Sequence, residues 1–291
     1  MQFLSNQRVL FKQAVMFTGL SMLATVAVAV DCDSDTDADT ILGAGNWASC
    51  EKATPDSLKL SFYKMALCTE KPTYLDESKC VYLLNSSSPK EVEISVGAKT
   101  DLLTGEVSVP EGVYPYAVMM IDNEIGVKTV FEFSSGNEQT DSLGNTGNSC
   151  WTNGKDVTWG YSNAADTVMT CGATPNAKFS FEEFKAFEGY SNKVLNDTTP
   201  TTSFDVYLLK DTTSIATSGS DSYGNPTGDA NYIWGVQTFN DAPEITANTK
   251  NIDMGFALTE GINMSFNNFL TGSGIVESVN LVGFAFSMKA N

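Results

Sequence analysis

Apolar residues at every second position recur along this chain, and that alternation restricts it to a fold built from β-strands. Leu58, Leu60 and Phe62 alternate with Lys59 and Ser61 early in the pattern. The same period of two recurs in residues 127–133, 204–208, 252–266 and 282–288. Successive side chains of a strand point to opposite faces of a sheet, so this period predicts strands with one buried face.

Turn-forming residues separate these segments, and no long segment has the period of a helix. The chain is therefore predicted to be all-β: an antiparallel β-sandwich of jelly-roll or immunoglobulin-like style, with about ten to thirteen strands and one short helix. The sandwich is predicted to span residues 54–291. A chain of this length can bury one core or form two subdomains, and the polar segment 134–148 is then the predicted seam.

Two alternating runs near the C terminus predict a β-hairpin. The runs 252–258 and 262–266 are separated by Thr259, Glu260 and Gly261. A three-residue connection that ends in glycine is typical of a hairpin with a bulge-type turn. We therefore expect these two strands to be neighbours in one sheet.

One segment favours the short helix. Residues 180–183 are Ser-Phe-Glu-Glu, which matches the capping-box pattern, and Phe184 and Phe187 follow at helical spacing. This pattern predicts a helix over residues 181–188. A strand is the alternative, because the phenylalanines on either side of Ser180 also alternate.

The first 29 residues are predicted to be a secretory signal peptide. Arg8 and Lys12 supply a positive start, and an uncharged apolar stretch ends on Ala27-Val28-Ala29, which predicts cleavage before Val30. An uncleaved membrane anchor is the alternative, although the stretch is at the short end for a span. The mature protein is therefore expected to be secreted or at the cell surface, with no stable membrane insertion.

Beyond this leader the chain contains no histidine and no arginine. It has 35 acidic residues against 15 lysines, which is a net charge of −20. Without imidazole there is no Ser-His-Asp or Cys-His relay, and without guanidinium there is no bidentate clamp for carboxylate or phosphate. We therefore predict a protein that is not an enzyme. The negative charge also disfavours nucleic acid and anionic lipid as partners.

All six cysteines follow the leader, which predicts three disulfides in an exported protein. The favoured pairing joins neighbours along the chain: Cys32–Cys50, Cys68–Cys80 and Cys150–Cys171. Each disulfide would close a short loop and stabilise the fold by about 3 kcal/mol. A zinc site is the alternative, and it is disfavoured because closely spaced cysteine pairs and histidines are missing. The disulfides are thus predicted to staple the N-terminal half.

The mature N terminus carries five aspartates at alternate positions, which suggests weak calcium binding because hard cations prefer several carboxylate oxygens. These residues are Asp31, Asp33, Asp35, Asp37 and Asp39. The spacing departs from an EF-hand loop, since Ala38 and Ala44 stand where glycine and glutamate are needed. The alternative is an acidic, flexible segment over residues 30–53.

Aromatic residues near predicted loops form a candidate carbohydrate-binding set. Trp47 and Trp151 lie close to cysteines, and Trp159 and Tyr161 lie on either side of a glycine. Exposed rings of this kind stack on the apolar face of a sugar. Packing beside a disulfide or under a loop is the alternative, and Trp234, inside an apolar run, is predicted to be in the core.

Three segments match the N-glycosylation pattern Asn-x-Ser/Thr. They are residues 85–87, 196–198 and 263–265. The third lies within a predicted strand, so its modification is not expected.

Together these features favour an exported, non-enzymatic structural or adhesive protein, including a subunit of a filament or matrix. Its predicted partners are further copies, surface or matrix components, and glycans, and open strand edges are the predicted assembly device. A calcium-assisted carbohydrate-binding module is the alternative function. A glycosidase that uses only carboxylates is the third, with Glu182 or Glu183 opposite Asp253 or Glu260 as candidates. No cofactor is required, and calcium is the one ion considered.

Overall fold

A computed structural model describes most of the chain from residue 30 onward. The described residues are 30–43, 47–96, 108–157, 168–185, 195–198, 202–220, 226–257, 261–267, 274–281 and 285–290. The predicted signal peptide lies outside these residues. The described part is nearly all strand, with one helix, α1 (Ala38–Leu42). Almost every strand pair is antiparallel, so the predicted all-β, antiparallel class is confirmed, and the sandwich arrangement of the sheets stays a prediction.

Strands follow one another along the whole described chain. In chain order they are β1 (Val30–Asp31), β2 (Trp47–Ala53), β3 (Ser57–Cys68), β4 (Cys80–Ser95), β5 (Gly112–Val113), β6 (Tyr116–Asp122), β7 (Glu124–Lys128), β8 (Val130–Glu132), β9 (Gln139–Thr140), β10 (Thr146–Gly147), β11 (Ser149–Thr152), β12 (Met169–Gly172), β13 (Ser180–Glu183), β14 (Leu195–Thr198), β15 (Thr202–Asp211), β16 (Ser214–Ile215), β17 (Ser218–Ser220), β18 (Pro226–Gly228), β19 (Tyr232–Phe239), β20 (Glu244–Ile245), β21 (Ile252–Ala257), β22 (Ile262–Asn267), β23 (Ile275–Leu281) and β24 (Ala285–Ala290). The described residues thus contain 24 strands, more than the ten to thirteen predicted, because thirteen of them have only two to four residues.

The largest sheet has nine strands and branches at Asn123. Strands β6 and β7 form one long path antiparallel to β3; β6 continues to β19 and β15, while β7 continues to β13. Asn123 lies between β6 and β7 and is buried. Its side-chain amide donates to the carbonyls of Phe184 (2.8 Å) and Ala230 (3.1 Å) and accepts from the Phe184 N–H. One buried side chain therefore ties the two branches together.

The two faces of this sheet belong to two separate hydrophobic clusters. On the inner face, Leu58, Leu60 and Phe62 are fully buried in a core shared with the sheets β1-β2-β22-β23 and β12-β11-β8. Burying each such side chain contributes about 1.5–3 kcal/mol. The outer face carries a second, separate hydrophobic cluster centred on Trp234.

All three disulfides have the predicted pairing. Cys68 and Cys80 are directly opposite each other on β3 and β4, as are Cys150 and Cys171 on β11 and β12. The third joins Cys32 to Cys50 and holds the N-terminal segment against β2. None of the cysteines is free, so the zinc alternative is excluded.

The predicted hairpin near the C terminus is wrong. Both strands exist, but β21 pairs with β24, while β22 lies between β2 and β23. Alternation specifies which side chains share a face but leaves the neighbouring strand open, so a distant partner can replace the adjacent one. Of the predicted alternating run 282–288, residues 285–288 lie in β24, and residues 282–284 lie outside the described residues.

The predicted helix over residues 181–188 is also wrong in its described part. Residues 180–183 form β13, paired with β7, and residues 186–188 lie outside the description. The strand places Ser180 and Glu182 inward, where they bond to the N–H groups of Gly154 (3.2 Å) and Leu281 (2.7 Å). These contacts with distant chain segments outweigh a local capping preference.

The one described helix lies instead in the acidic N-terminal segment. Residues 30–53, predicted to be flexible, contain β1, α1 and β2. Asp37 caps α1, with its side chain accepting a hydrogen bond from the Thr40 N–H (3.2 Å). The segment 134–148 contains the short strands β9 and β10, and its role as a seam between subdomains stays a prediction.

Candidate functional site

Four of the five N-terminal aspartates, Asp33, Asp35, Asp37 and Asp39, accept hydrogen bonds within the fold. Besides the cap supplied by Asp37, the Asp39 carboxylate accepts a hydrogen bond from the N–H of Gly274 (2.6 Å), which attaches α1 to the start of β23. Within the described ranges, no three acidic or cysteine side chains gather in a way that could hold a metal ion. The calcium hypothesis therefore gains no support from this arrangement.

The predicted aromatic set does not form one surface. Trp47 begins β2 and is 56% exposed, whereas Trp151 on β11 is only 8% exposed and packs over Gly172. Trp159 and Tyr161 lie outside the described residues. Of the predicted set, Trp47 alone has a described ring that is open to a ligand.

The two described carboxylates considered for a glycosidase, Glu182 and Glu183, have different surroundings. Glu182 is buried between sheets, where burial raises the pKa of its carboxyl group to about 7. Glu183, the next residue of the strand, is exposed and forms an ion pair with Lys185. Neighbours on a strand face opposite ways, so these two acids cannot line one cleft. The side chains of Asp253 and Glu260 lie outside the description.

A different aromatic surface stands out on the outer face of the nine-stranded sheet. Six half-buried tyrosines surround the buried Trp234, and we call this surface the tyrosine face. Its tyrosines are Tyr63, Tyr74, Tyr82, Tyr116, Tyr207 and Tyr232. Sequence reasoning missed it, although β6 and β19 are apolar on both faces, which is the pattern of a sheet that is covered on both sides.

Strand register places these rings against one another. Trp234 on β19 is directly opposite Tyr207 on β15 and Met120 on β6. The Tyr207 and Trp234 ring centroids are 5.7 Å apart at an interplanar angle of 63°, and Tyr63 meets Tyr232 edge-on at 5.1 Å. Such edge contacts are the favourable arrangement for aromatic pairs and hold the rings in fixed orientations.

The loop of residues 69–79, closed by the disulfide between Cys68 and Cys80, folds over one part of this face. Its Tyr74 packs edge-on against Trp234, with ring centroids 6.5 Å apart. Its Glu77 is buried and accepts hydrogen bonds from Trp234 Nε1 (2.8 Å), Lys64 Nζ (3.0 Å) and the Tyr82 hydroxyl. Burial and then this bond to Glu77 raise the pKa of Tyr82 to about 12. The loop is thereby anchored to the sheet by one carboxylate.

The charged groups around the tyrosine face pair with one another. Besides Lys64 with Glu77, Lys71 forms an ion pair with Asp205 (2.5 Å). The Tyr63 hydroxyl donates to Asp122 (3.4 Å), and burial followed by this carboxylate raises the pKa of Tyr63. What this surface offers a ligand is therefore flat rings and hydroxyl groups, and its lysines are already neutralised.

Comparison with protein-family models, curated proteins and solved structures finds no match to this chain. The three disulfides place the protein in an oxidising compartment outside the cytoplasm. Across the described residues, no helix has the length and apolar character needed to cross a membrane.

Proposed function

We propose that this protein is an exported, non-enzymatic adhesive protein, secreted or at the cell surface, that binds neutral carbohydrate through the tyrosine face. The observation that carries this proposal is the set of half-buried tyrosines around Trp234 on a sheet face turned away from the main core. Tyrosine combines a large apolar ring with a hydroxyl group at low entropic cost. A sugar presents the matching combination of an apolar ring face and hydroxyl groups.

The charges on and around the tyrosine face favour a neutral ligand over a charged one. The lysines of this face are paired, Lys64 with Glu77 and Lys71 with Asp205, so neither is a ready anchor for an anion. The net charge of −20 without the leader further disfavours polyanions at long range. A neutral glycan requires no change in these ion pairs.

One edge of the nine-stranded sheet, at β4, supports adhesion over polymerisation through that edge. In the part of the chain that the structure describes, β4 pairs with β3 alone and so forms an edge. This edge contains Pro89, which lacks an N–H, beside the charged Lys90 and Glu91. Proline and charge are the features with which proteins protect an edge from pairing with another chain. A filament or matrix subunit is therefore the less favoured form of the proposal.

A glycan array probed with residues 30–291 tests the function. We expect binding to neutral glycans, and we expect Tyr207→Ala and Tyr116→Ala each to weaken it on the order of tenfold by removing a stacking ring. Trp47→Ala is the matched control, because its ring is exposed on another sheet. Thermal melting of each variant shows that the fold is kept.

The same array can overturn the proposal. If the unchanged protein binds no neutral glycan, or if both tyrosine variants bind as strongly as it does, the tyrosine face is not the binding surface. Loss of binding in Trp47→Ala alone would move the site to the sheet that contains β2.

A further inference from the structure

Two of the three N-glycosylation sequons differ in accessibility in the described structure. Asn85 is exposed on the edge strand β4, and so is Ser87, the hydroxyl residue of its sequon. Asn263 is half-buried on β22, between β2 and β23, and its side-chain oxygen accepts from Asn280 (3.1 Å). The hydroxyl residue of that sequon, Ser265, is fully buried and bonded to Asn280 as well (2.7 Å). Asn196 belongs to β14, whose side chains lie outside the description.

The sequon at Asn85 starts a bulge in the edge strand. Lys64 on β3 is opposite Asn85, yet Phe62 on β3 is opposite Lys90, so residues 86–89 face Tyr63 alone. Within the bulge, the Ser86 hydroxyl accepts from the N–H of Ser88 (3.2 Å). The extra residues of the bulge are not paired with β3, and β4 has no other described neighbour. Within the described part of the chain, the side chains of Asn85 and Ser87 make no hydrogen bond like those that hold Asn263 and Ser265 to Asn280.

We propose that Asn85 is an N-glycosylation site of this protein. The donor is an oligosaccharide carried on a lipid pyrophosphate. The side-chain nitrogen of Asn85 loses a proton to a base of the glycosylating enzyme and forms a bond to C1 of the first sugar, while the bond between C1 and the pyrophosphate oxygen breaks. The lipid pyrophosphate leaves with that electron pair, so no oxidant or reductant is needed. Ser87 supplies the hydroxyl group that the sequon requires.

The register between β3 and β4 also indicates on which face of the sheet the glycan would lie. Directly opposed residues of an antiparallel pair share a face, so Asn85 lies on the same face as Lys64. Lys64 belongs to the tyrosine face, since it is bonded to Glu77 and lies 6.0 Å from the centre of the Tyr82 ring. A glycan on Asn85 therefore stands at the rim of the tyrosine face and beside the open edge of β4. Resting on the proposed function, we infer that it limits access to the tyrosine face.

Peptide mass spectrometry on the protein purified from the cells that make it tests the site directly. After reduction, trypsin releases residues 80–90 with Asn85 as their one sequon, and Asn263 appears separately in residues 251–289. We expect glycan mass on the first peptide and none on the second. An unmodified 80–90 peptide overturns the proposal, and so does a glycan on Asn263 in its place.

Two exposed substitutions separate this inference from the proposed function. Asn85→Gln removes the acceptor and Ser87→Ala removes the sequon while keeping the asparagine, so both are expected to lose the glycan mass. If the tyrosine face binds sugar, Asn85→Gln should also bind the array glycans several-fold more tightly than the glycosylated protein. Should Tyr207→Ala leave array binding unchanged, the proposed function fails, while the mass of peptide 80–90 still decides whether Asn85 is modified.

Discussion

Glu182 is a buried carboxyl group at the contact between two sheets, and its ionisation makes stability depend on pH. Burial raises its folded pKa from 4.5 to about 7, although the Leu281 N–H donated to it favours the charged form. Its contribution to stability is complete below pH 4.5 and is lost as the pH rises through about 7, because the folded state must then hold a buried charge.

Glu182→Gln is therefore expected to stabilise the protein at pH 8, on the order of 2–3 kcal/mol, while still accepting the Leu281 N–H. At pH 5 the difference should largely vanish, since the natural carboxyl group is then neutral. Urea denaturation at both pH values measures it. Glu183→Gln, at the next and exposed position, is the matched control. A Glu182→Gln variant that is less stable than the natural protein at pH 8 would contradict this account.

Gln237 is a buried side chain whose polar atoms are unpaired. It is fully buried, and among the described residues neither its amide nitrogen nor its oxygen has a hydrogen-bond partner. An unpaired buried amide costs about 1–3 kcal/mol, so Gln237→Met is expected to raise the free energy of unfolding by about 1 kcal/mol. Gln139 is the contrasting control: it is also buried, but it donates to the carbonyl of Thr36 (3.1 Å). Gln139→Met should destabilise, and equal effects of the two changes in urea denaturation would refute the argument.

At the scale of elements, the disulfide loop of residues 69–79 is expected to stabilise both the fold and the tyrosine face. Replacing Cys68 and Cys80 together by alanine opens the loop, which should lower the free energy of unfolding by about 2–4 kcal/mol. It also loosens Glu77, which bonds to Trp234, so glycan binding should weaken in the same variant. Urea denaturation and the array measure the two effects, and binding that is unchanged in the opened variant would show that the loop plays no part in the site.

Local sequence patterns predicted which segments form strands better than they predicted which strands pair with one another. The period of two identified the strands, and nearest-neighbour pairing of the cysteines gave the disulfides, because short loops close easily. The helix over residues 181–188 and the hairpin after Ala257 failed for one physical reason. Both β13 and β21 pair with distant strands, β7 and β24, and a local turn or capping pattern carries no information about distant partners.

The tyrosine face could not be assembled from the sequence for the same reason. Its residues come from β3, β4, β6, β15, β19 and the disulfide loop, and pairing between distant strands brings them together. The sequence did contain a usable signal in β19, where Tyr232 and Trp234 alternate with Ile233, so that both faces are apolar. Trp234 was correctly predicted to be buried, but it lies in the outer cluster rather than in the main core.

For the whole molecule, the protected edge at β4 favours a monomer over assembly through that strand. Light scattering after size exclusion of residues 30–291 should give the mass of one chain. Changing Pro89 and Lys90 together to valine restores the backbone N–H that Pro89 lacks and removes the charge of Lys90 from the edge of β4. This variant should therefore self-associate. Large particles formed by the unchanged protein would favour the filament or matrix subunit instead.

The central claim is that one face of the molecule, the tyrosine face, binds sugar. The most direct measurement is an NMR titration of ring-labelled tyrosines with a neutral glycan selected on the array, since the chain has ten tyrosines. We predict shifts concentrated on the tyrosine face, with none at Tyr114, which is buried in the main core. A bound glycan that leaves the tyrosine-face signals unshifted would contradict the account.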